Sequence, residues 1–348
     1  MPTDTLNSTE ANAMPDRGLP DRGLRSNGMR DLGPADMARF RQIERTFLEA
    51  SAAAGYREVR TPTIEPLHLY TAAGTLSPQA LDRVYSFLDW DGWSGERVVL
   101  RPDATVAVAR WYGEQGAQRG AASEARVSYV QPVYRFAAEG DREVWQCGVE
   151  LFGVSAPTAD TELLLLAQST LAAMGIADVT CDLAHAGLVR TAFAAAGLNP
   201  TEQIEAYDRM LDGDASVTAD LVATHPKGAA ALRVLSEVDG TSVGYVANLR
   251  AAMLPVMPEA AGALDELEAA ARSLEAAGVP FRLRAGTARS FEYYSGLTFR
   301  FNAAGRDCVS GGRYDGLAET IGGSAAPGCG WAADILGLAA ILGDGVQS

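Results

Sequence analysis

Two alternating segments separated by a short acidic stretch place the strongest constraint on the fold. VSYVQPVYRF (127–136) and EVWQCGVELFG (143–153) both alternate apolar and polar residues, and AAEGD (137–141) lies between them. A period of two is typical of a β-strand, and a short linker between two such runs indicates an antiparallel hairpin. Strand pairs surround helical patterns here without a regular β-α-β alternation. We therefore predict an α+β fold built on an antiparallel sheet that is flanked by helices.

The patterns around this hairpin fit the same fold. Residues 34–54 carry apolar side chains at helical spacing and end at Gly55, as expected of an amphipathic helix. YREVRTPTIEP (56–66) alternates as a strand before a turn bounded by Pro62 and Pro66, and RVVLRPD (97–103) reads as a strand that leads into a helix. A further helix is expected over TELLLLAQSTLAAM (161–174).

Composition divides the chain into four parts. The first is rich in Asn, Asp, Gly, Pro and Ser and is expected to be flexible. The third is rich in alanine and interrupted by proline, and is expected to be a helical insertion. The predicted parts are a tail (1–28), the first half of the core (29–186), the insertion (187–276) and the second half of the core (277–348).

Charge and composition narrow the classes of function. The net charge is −15, with 44 acidic against 29 basic side chains, which disfavours binding to nucleic acid. The cysteines and the three histidines are scattered, so we expect reduced thiols, no metal site and no cofactor. The longest apolar run, Leu163–Met174, is too short to span a bilayer, and no signal peptide is evident. A cytoplasmic protein without membrane contact is predicted.

Four segments combine polar side chains with strand patterning: LRPDATVAVAR (100–110), residues 134–153, ARSFEYYSGLTF (288–299) and SGGRYDGL (310–317). Each also has a purely structural interpretation, such as a helix cap at Asp103 or a glycine turn. Gln146 and Glu150 are four apart on the same predicted strand, so their side chains point to one face. Carboxylates, an amide, an arginine and tyrosines together supply the groups that hold a free amino acid.

In this order, the segments resemble the catalytic core of histidyl-tRNA synthetase, a class II synthetase. Residues 56–66 resemble the first class II motif, which forms the dimer, and residues 134–153 resemble the second. RSFEYYSG and GGRYDGL resemble the two histidine-specific segments, and GCGWAADILGL (328–338) lies where the third motif is expected. The resemblance covers about residues 29–346 and is weakest across the insertion.

The resemblance implies a histidine pocket. Asp103 (where the family usually has Glu), Thr105 and Gln146 would hold the α-amino group, and Arg289 would pair with the carboxylate. Glu150 and Tyr294 would face the imidazole, with Tyr314 nearby. An aspartate at position 103 keeps the charge but withdraws it by one methylene.

The resemblance also implies that the ATP side is vestigial. The family's third motif ends in Gly-Leu-Glu-Arg, whereas this chain reads AADI, with Ile335 assigned to the arginine position. Arg135 of the second motif is retained, but Ala137 and Ala138 replace a Glu and an Arg, and the following loop is about three residues short. Losing one preorganised group that stabilises transition-state charge costs about 2.7–4 kcal/mol. We therefore expect no aminoacyl adenylation. The chain stops ten residues after Leu338, so we also expect no anticodon-binding domain and no tRNA partner.

A synthetase-like core with these losses resembles the regulatory subunits of ATP phosphoribosyltransferase. The resemblance implies a hetero-oligomer with a short-form catalytic subunit, with this chain as a dimer within it and histidine as a feedback effector. Two alternatives stay open. One is a truncated class II ligase that activates histidine or a related amino acid for a carrier other than tRNA, and the other is a free-standing histidine sensor.

Overall fold

A computed structural model describes residues 25–73, 84–90, 93, 95–119, 123–136, 140–211, 214, 216–226, 229–284 and 293–344. The helices of these residues are α1 (Pro34–Ala53), α2 (Leu67–Ala72), α3 (Ala104–Arg119), α4 (Thr158–Ala173), α5 (Ala186–Ala195), α6 (Pro200–Leu211), α7 (Val217–Thr224), α8 (Ala229–Ser236), α9 (Val243–Met253), α10 (Ala261–Ala276), α11 (Leu317–Thr320) and α12 (Ile335–Asp344). The strands are β1 (Arg57–Glu58), β2 (Ile64–Pro66), β3 (Ser86–Trp90), β4 (Gly95–Leu100), β5 (Ala125–Tyr134), β6 (Glu143–Phe152), β7 (Thr180–His185), β8 (Asp239–Gly240), β9 (Phe281–Arg284), β10 (Leu297–Ala303), β11 (Arg306–Arg313) and β12 (Gly328–Asp334).

Most of the strands form one large sheet. Its order is β1-β5-β6-β12-β11-β10-β7-β9-β8, antiparallel except for the pairs β1–β5 and β7–β9. The hairpin expected from the alternating segments is the pair β5–β6, in register from Ala125 opposite Phe152 to Tyr134 opposite Glu143. The predicted α+β fold with an antiparallel sheet flanked by helices is confirmed.

The hairpin of β10 and β11 turns on two residues. Ala304 and Gly305 have φ values of 49° and 73°. Positive φ at both central residues suits the right-handed twist of the flanking strands.

The strand expected before Pro62 is the short β1, and the residues up to Pro66 add a second short strand, β2, in a different sheet. β1 pairs with β5 in the large sheet, whereas β2 belongs to a three-stranded sheet of order β2-β4-β3. Between them, the Thr61 N–H is bonded to the Gln131 side chain (3.2 Å), and the Thr61 and Pro62 carbonyls accept from the buried Arg101 (2.7 and 2.8 Å). Proline has no N–H to continue a ladder, so these side-chain bonds satisfy the backbone where pairing stops.

One face of the large sheet carries the apolar core. Helix α1 packs there through edge-to-face ring contacts, with Phe40 against Trp145 (5.3 Å) and Phe47 against Trp331 (5.8 Å). Helices α4 and α12 also lie against this side of the sheet. Because side chains alternate along a strand, the neighbours of Trp145 and Trp331 point to the opposite face, where the polar side chains gather.

Residues 187–276 hold helices α5–α10 and the short strand β8. They connect β7 to β9, its parallel neighbour, and α10 packs on α4 and β7. The apolar side chains of this region and of the sheet form one cluster of buried residues. The boundaries drawn from composition stay a prediction, and all of the proposed tail except residues 25–28 lies outside the described residues.

Among the described residues, no helix is both long and apolar enough to cross a membrane.

Candidate functional site

Glu150 lies at the centre of a polar cluster on the face of the sheet opposite α1. Its carboxylate accepts hydrogen bonds from Thr105 Oγ1 (2.7 Å), from the Tyr129 hydroxyl (3.2 Å) and from the Tyr314 hydroxyl. The side chain is fully buried. Burial raises the pKa of Glu150 to about 8, although the hydroxyl donors oppose this shift. The group is therefore poised to exchange a proton near neutral pH.

Glycines on the neighbouring strands make room for this cluster. Gly330 of β12 lies directly opposite Glu150, and a Cβ at Gly330 would overlap the Glu150 carboxylate. A Cβ at Gly148 would overlap the Tyr129 hydroxyl, and one at Gly328 would stand 2.7 Å from the Tyr314 ring. A residue without Cβ is required wherever another group approaches the backbone this closely. The space for the cluster therefore depends on these glycines as well as on the side chains that line it.

The start of α3 supplies the second carboxylate. Asp103 caps this helix, because its Oδ1 accepts from the Val106 N–H (3.1 Å). Burial raises the pKa of Asp103, while the nearby Arg135 charge and the backbone N–H donors oppose the rise. Thr105, two residues on, donates to Glu150. The capping interpretation of Asp103 is therefore correct, and the Tyr293 hydroxyl also donates to this carboxylate.

Tyr293, Tyr294 and Tyr314 form the aromatic wall. The Tyr293 ring lies 4.8 Å from Tyr294 and 5.8 Å from Tyr314 between centroids. Burial raises the pKa of all three phenols, so they stay neutral and can donate. The sequence placed Tyr293 and Tyr294 on a strand, and this is wrong, because β10 begins only at Leu297. They lie in the irregular segment before it, which lets consecutive side chains contact each other.

Gln146 shares the face of Glu150, four residues earlier on β6, and is partly buried. At about 3.3 Å per residue, this separation is roughly 13 Å along the strand. Gln146 is opposite Gln131 on β5 and Asp334 on β12, so it lies towards the end of the site where β12 meets α12. Arg289 lies outside the described residues.

The residues assigned to the ATP side, in the second and third motifs, do not form a comparable polar cluster among the described residues. Arg135 is exposed, and its Nε donates to the Pro102 carbonyl (2.8 Å), which places its charge beside Asp103. Ala137 and Ala138 lie outside the described residues. The segment 328–338, which resembles the third motif, contains no lysine or arginine.

The particular position assigned to the lost arginine is not supported. Ile335 is fully buried within the apolar core, where a guanidinium would be costly without a partner. The partly exposed residues of this first turn are Leu336 and Gly337. The absence of charge is therefore a property of the segment, and Ile335 itself is a core residue.

Sequence reasoning missed three contributors. Tyr129 contacts Glu150 because of the β5–β6 register. Gly148 and Gly330 contribute by leaving room for the Tyr129 hydroxyl and the Glu150 carboxylate. It also gave no role to Arg313, which is buried and paired with Asp160 (3.1 Å) under the aromatic wall. The alternation of β5 puts Tyr129 on the face of Gln131, which was the one available signal.

The arrangement holds the buried Glu150 carboxylate, the partly buried Asp103 carboxylate, hydroxyl donors and aromatic rings in one place, which suits recognition of a small ligand with several N–H donors. Within the residues that the structure describes, no group of three or more His, Cys, Asp or Glu side chains could hold a metal ion. The fold and this site define a class II synthetase-like protein.

Comparison with known proteins narrows this class. Residues 28–338 match the sequence model of the family described as histidyl-tRNA synthetase. The "ATP phosphoribosyltransferase regulatory subunit" of Dehalococcoides mccartyi (strain CBDB1) is 42% identical over 86% of this chain and 72% of that relative. A "Histidine--tRNA ligase" of Synechococcus sp. (strain WH7803) is 30% identical over 89% of this chain and 67% of that relative.

Among solved structures, an ATP phosphoribosyltransferase regulatory subunit/histidyl-tRNA synthetase from Bacillus halodurans shares the fold. It has a TM-score of 0.78 at 24% identity and covers 93% of this chain and 84% of that one. The chain belongs to the histidyl-tRNA synthetase family, in the branch of the ATP phosphoribosyltransferase regulatory subunits. The relatives at 41–42% identity carry that regulatory name, which confirms the expectation of a regulatory subunit in place of a catalyst.

Proposed function

We propose that this chain is the non-catalytic regulatory subunit of an ATP phosphoribosyltransferase. In this role it combines with a short-form catalytic subunit for the first step of histidine biosynthesis, works in the cytoplasm and transmits feedback inhibition by histidine. The observation that carries the proposal is the 42% identity to relatives with that name over 86% of this chain. The buried polar cluster around Glu150 supplies a place for the effector.

The cluster suits a free histidine in charge and hydrogen bonding. A carboxylate has about four acceptor sites, and hydroxyl donors from Thr105, Tyr129 and Tyr314 take three of those of Glu150. The remaining site can accept an imidazole N–H, with Tyr294 on the adjacent wall. In this proposal Asp103, Thr105 and Gln146 receive the ammonium and Arg289 receives the carboxylate.

In this proposal, binding of histidine is coupled to the release of a proton from Glu150. Because the pKa of Glu150 is raised to about 8 in the ligand-free chain, the carboxyl is largely protonated at pH 7. Accepting an imidazole N–H favours the ionised form, so histidine binding releases protons and strengthens as the pH rises towards 8.

We propose further that the chain forms a dimer through the region of Tyr56–Pro66 and does not bind tRNA. This region carries β1 and β2, at the edge of the large sheet and of the three-stranded sheet. Edge strands leave a row of backbone groups open to a second chain. The net charge of −15 disfavours a polyanion.

The decisive experiment is reconstitution. The purified chain is mixed with a short-form ATP phosphoribosyltransferase catalytic subunit, and product formation is followed with and without histidine. We expect the mixture to be much more active than the catalytic subunit alone, and histidine to inhibit only the mixture. Light scattering of the isolated chain should give a dimer.

A matched pair of variants connects the activity to the site. Glu150→Gln keeps the shape of the side chain but removes its charge, and Arg272→Gln changes an exposed ion pair on α10. The first should weaken inhibition by histidine about tenfold or more, since a hydrogen bond to a charged group is worth about 1.5–3 kcal/mol. The second should leave inhibition unchanged. An inactive mixture, or equal inhibition of both variants, contradicts the proposal.

A second candidate function is the truncated class II ligase. Two observations favour it: the retained Arg135 beside Asp103, and the 30% identity to a relative named as a histidine–tRNA ligase. Histidine-dependent exchange of pyrophosphate into ATP distinguishes it from the regulatory role.

A further inference from the structure

Arg190 lies on α5, among the residues that join the core to the alanine-rich region, and was not among the predicted site residues. Its guanidinium donates from Nη1 to the Tyr294 carbonyl and from Nη2 to the Ser295 carbonyl, both at 2.7 Å. Hydrogen bonds from a cationic donor are about twice as strong as neutral ones, and the planar fork fixes two acceptors at once. The carbonyls of the wall residue Tyr294 and of the following Ser295 are therefore bonded to a helix outside the sheet.

The backbone that Arg190 holds is fixed by other bonds on its far side. The Ser295 N–H donates to the Arg313 carbonyl (2.6 Å), and Ser295 Oγ accepts from the Asp315 N–H (2.9 Å). The Ala186 N–H, at the start of α5, donates to the Gly296 carbonyl (2.9 Å). The carbonyl of Tyr294 thus depends on Arg190, while the following residues are held by β11 and the start of α5.

Helix α5 is itself anchored at its start. His185 caps the helix, with Nδ1 accepting from the Gly187 N–H (3.1 Å), so its hydrogen is on Nε2, which donates to Glu266 on α10 (3.0 Å). Helix α10 in turn packs on β7 and α4. A chain of polar bonds therefore runs from α10 through α5 to the wall residue Tyr294.

We propose that Arg190 is a positioning residue that sets the place of Tyr294 in the ligand pocket and joins the pocket to α5. It acts through Tyr294 and does not contact the ligand. The proposal rests on the proposed function, since histidine is the ligand whose affinity reports the position of the ring.

The test uses the full chain with Arg190→Met, which keeps the length and loses both bonds, and Arg190→Lys, which keeps the charge but not the fork. Arg272→Met, on the exposed surface of α10, is the matched control.

Histidine affinity is measured by calorimetry, and hydrogen exchange is measured on the peptide covering residues 293–300. For Arg190→Met we expect a Kd raised roughly 10- to 100-fold and clearly faster exchange in this peptide, as displacement of a positioned group by about 1 Å can cost that much. Arg190→Lys should lie between Met and wild type.

A double-mutant cycle with Tyr294→Phe separates positioning from general stability. If Arg190 acts through Tyr294, then Arg190→Met should change the Kd much less in the Tyr294→Phe background, because contacting residues are not additive. Additive effects overturn the proposal. So does faster exchange with an unchanged Kd, which would make Arg190 only a structural support, and so does an unchanged exchange rate.

Absence of histidine binding by the wild-type chain would be a different failure. It would overturn the proposed function, and the ligand part of this proposal with it, whereas the exchange measurement would still show whether Arg190 holds the segment.

Discussion

The polar cluster around Glu150 and the segment 328–338 lie side by side in the sheet, yet they are built in opposite ways. Glu150 is buried with hydroxyl donors around it and glycines making space beside it. The neighbouring segment has no basic residue, and the first residue of its helix, Ile335, is part of the core. A hydrogen-bonded polar cluster therefore lies next to a segment that carries no basic side chain.

The reason lies in how each region is stabilised. Removing one member of a buried hydrogen-bonded cluster leaves its partners unsatisfied and destabilises the folded chain. An exposed charge that serves only a transition state contributes little to folding, so its replacement by an apolar residue is tolerated or stabilising. Selection for stability alone would preserve the buried cluster and the glycines that make room for it, but it would not preserve an exposed charge of this kind.

The largest expected effect concerns the chemistry that the second region lacks. Histidine-dependent exchange of pyrophosphate into ATP should be about 10⁴- to 10⁶-fold below that of an active synthetase assayed in parallel, since two lost charge contacts cost about 10²- to 10³-fold each. Exchange at a synthetase-like rate by the purified chain would break the comparison, because the segment 328–338 would then be functional.

The next effect tests the space beside Glu150. Gly330→Ala should destabilise the chain by about 1–3 kcal/mol and abolish measurable histidine binding, because the new methyl overlaps the Glu150 carboxylate and the Val149 carbonyl. Gly262→Ala on α10, where nothing lies within 4 Å of the added Cβ, is the control and should be neutral or stabilising by less than about 1 kcal/mol. Urea unfolding measures both. Equal effects of the two substitutions would show that the glycine at 330 has no role in the site.

Glu150→Gln tests the protonation of the cluster. The pKa of Glu150 is raised from 4.5 to about 8 by burial, so between these values the folded chain binds more protons than the unfolded chain. Wild-type stability therefore falls as the pH rises from about 4.5 to 8, by at most about 1.4 kcal/mol per pH unit from this group. The variant should lack this component, so the difference between the two free energies of unfolding should change with pH in that window. Parallel curves from pH 5 to 8.5 would contradict the assignment.

The smallest expected effect comes from a single donor. Thr105→Val removes one hydroxyl from the Glu150 carboxylate at nearly constant volume, and should cost about 0.5–1.5 kcal/mol of stability. It should also raise the Glu150 pKa further, because the hydroxyl lowers it. Thr224→Val, an exposed helical position, should stay within about 0.5 kcal/mol of wild type. NMR titration of the Glu150 carboxyl would check the direction of the pKa change.

The sequence was sufficient where a local pattern determines the structure. Alternation predicted the β5–β6 hairpin and put Gln146 and Glu150 on one face. It could not show that Tyr129 meets Glu150, because that contact depends on the register of the hairpin. It also could not show that Gly330 stands opposite Glu150, because β6 and β12 are far apart in the chain. The prolines indicated that the strand after Tyr56 stops near Pro62, but they could not show that Arg101, buried from another segment, takes the carbonyls there.

Ile335 shows a different limit. Alignment with a motif assigns a residue to a position in that motif. It does not show whether the side chain faces the site or the core, and the packing shows that Ile335 faces the core. The order of motifs was therefore a better guide to the family than any one aligned residue was to its role.

The strand order also fixes when the site can exist during synthesis. β6 pairs with β12, which follows every other strand of the described chain, so Glu150 gains its neighbour Gly330 only after 180 further residues have been made. Until then β6 is an open edge that can pair with other chains, and β11 becomes a second open edge only shortly before β12 is made. On the ribosome, the chain must therefore carry an open edge at β6 while residues 153–327 are synthesised. Slow elongation, or termination before β12, would leave this edge open and favour aggregation.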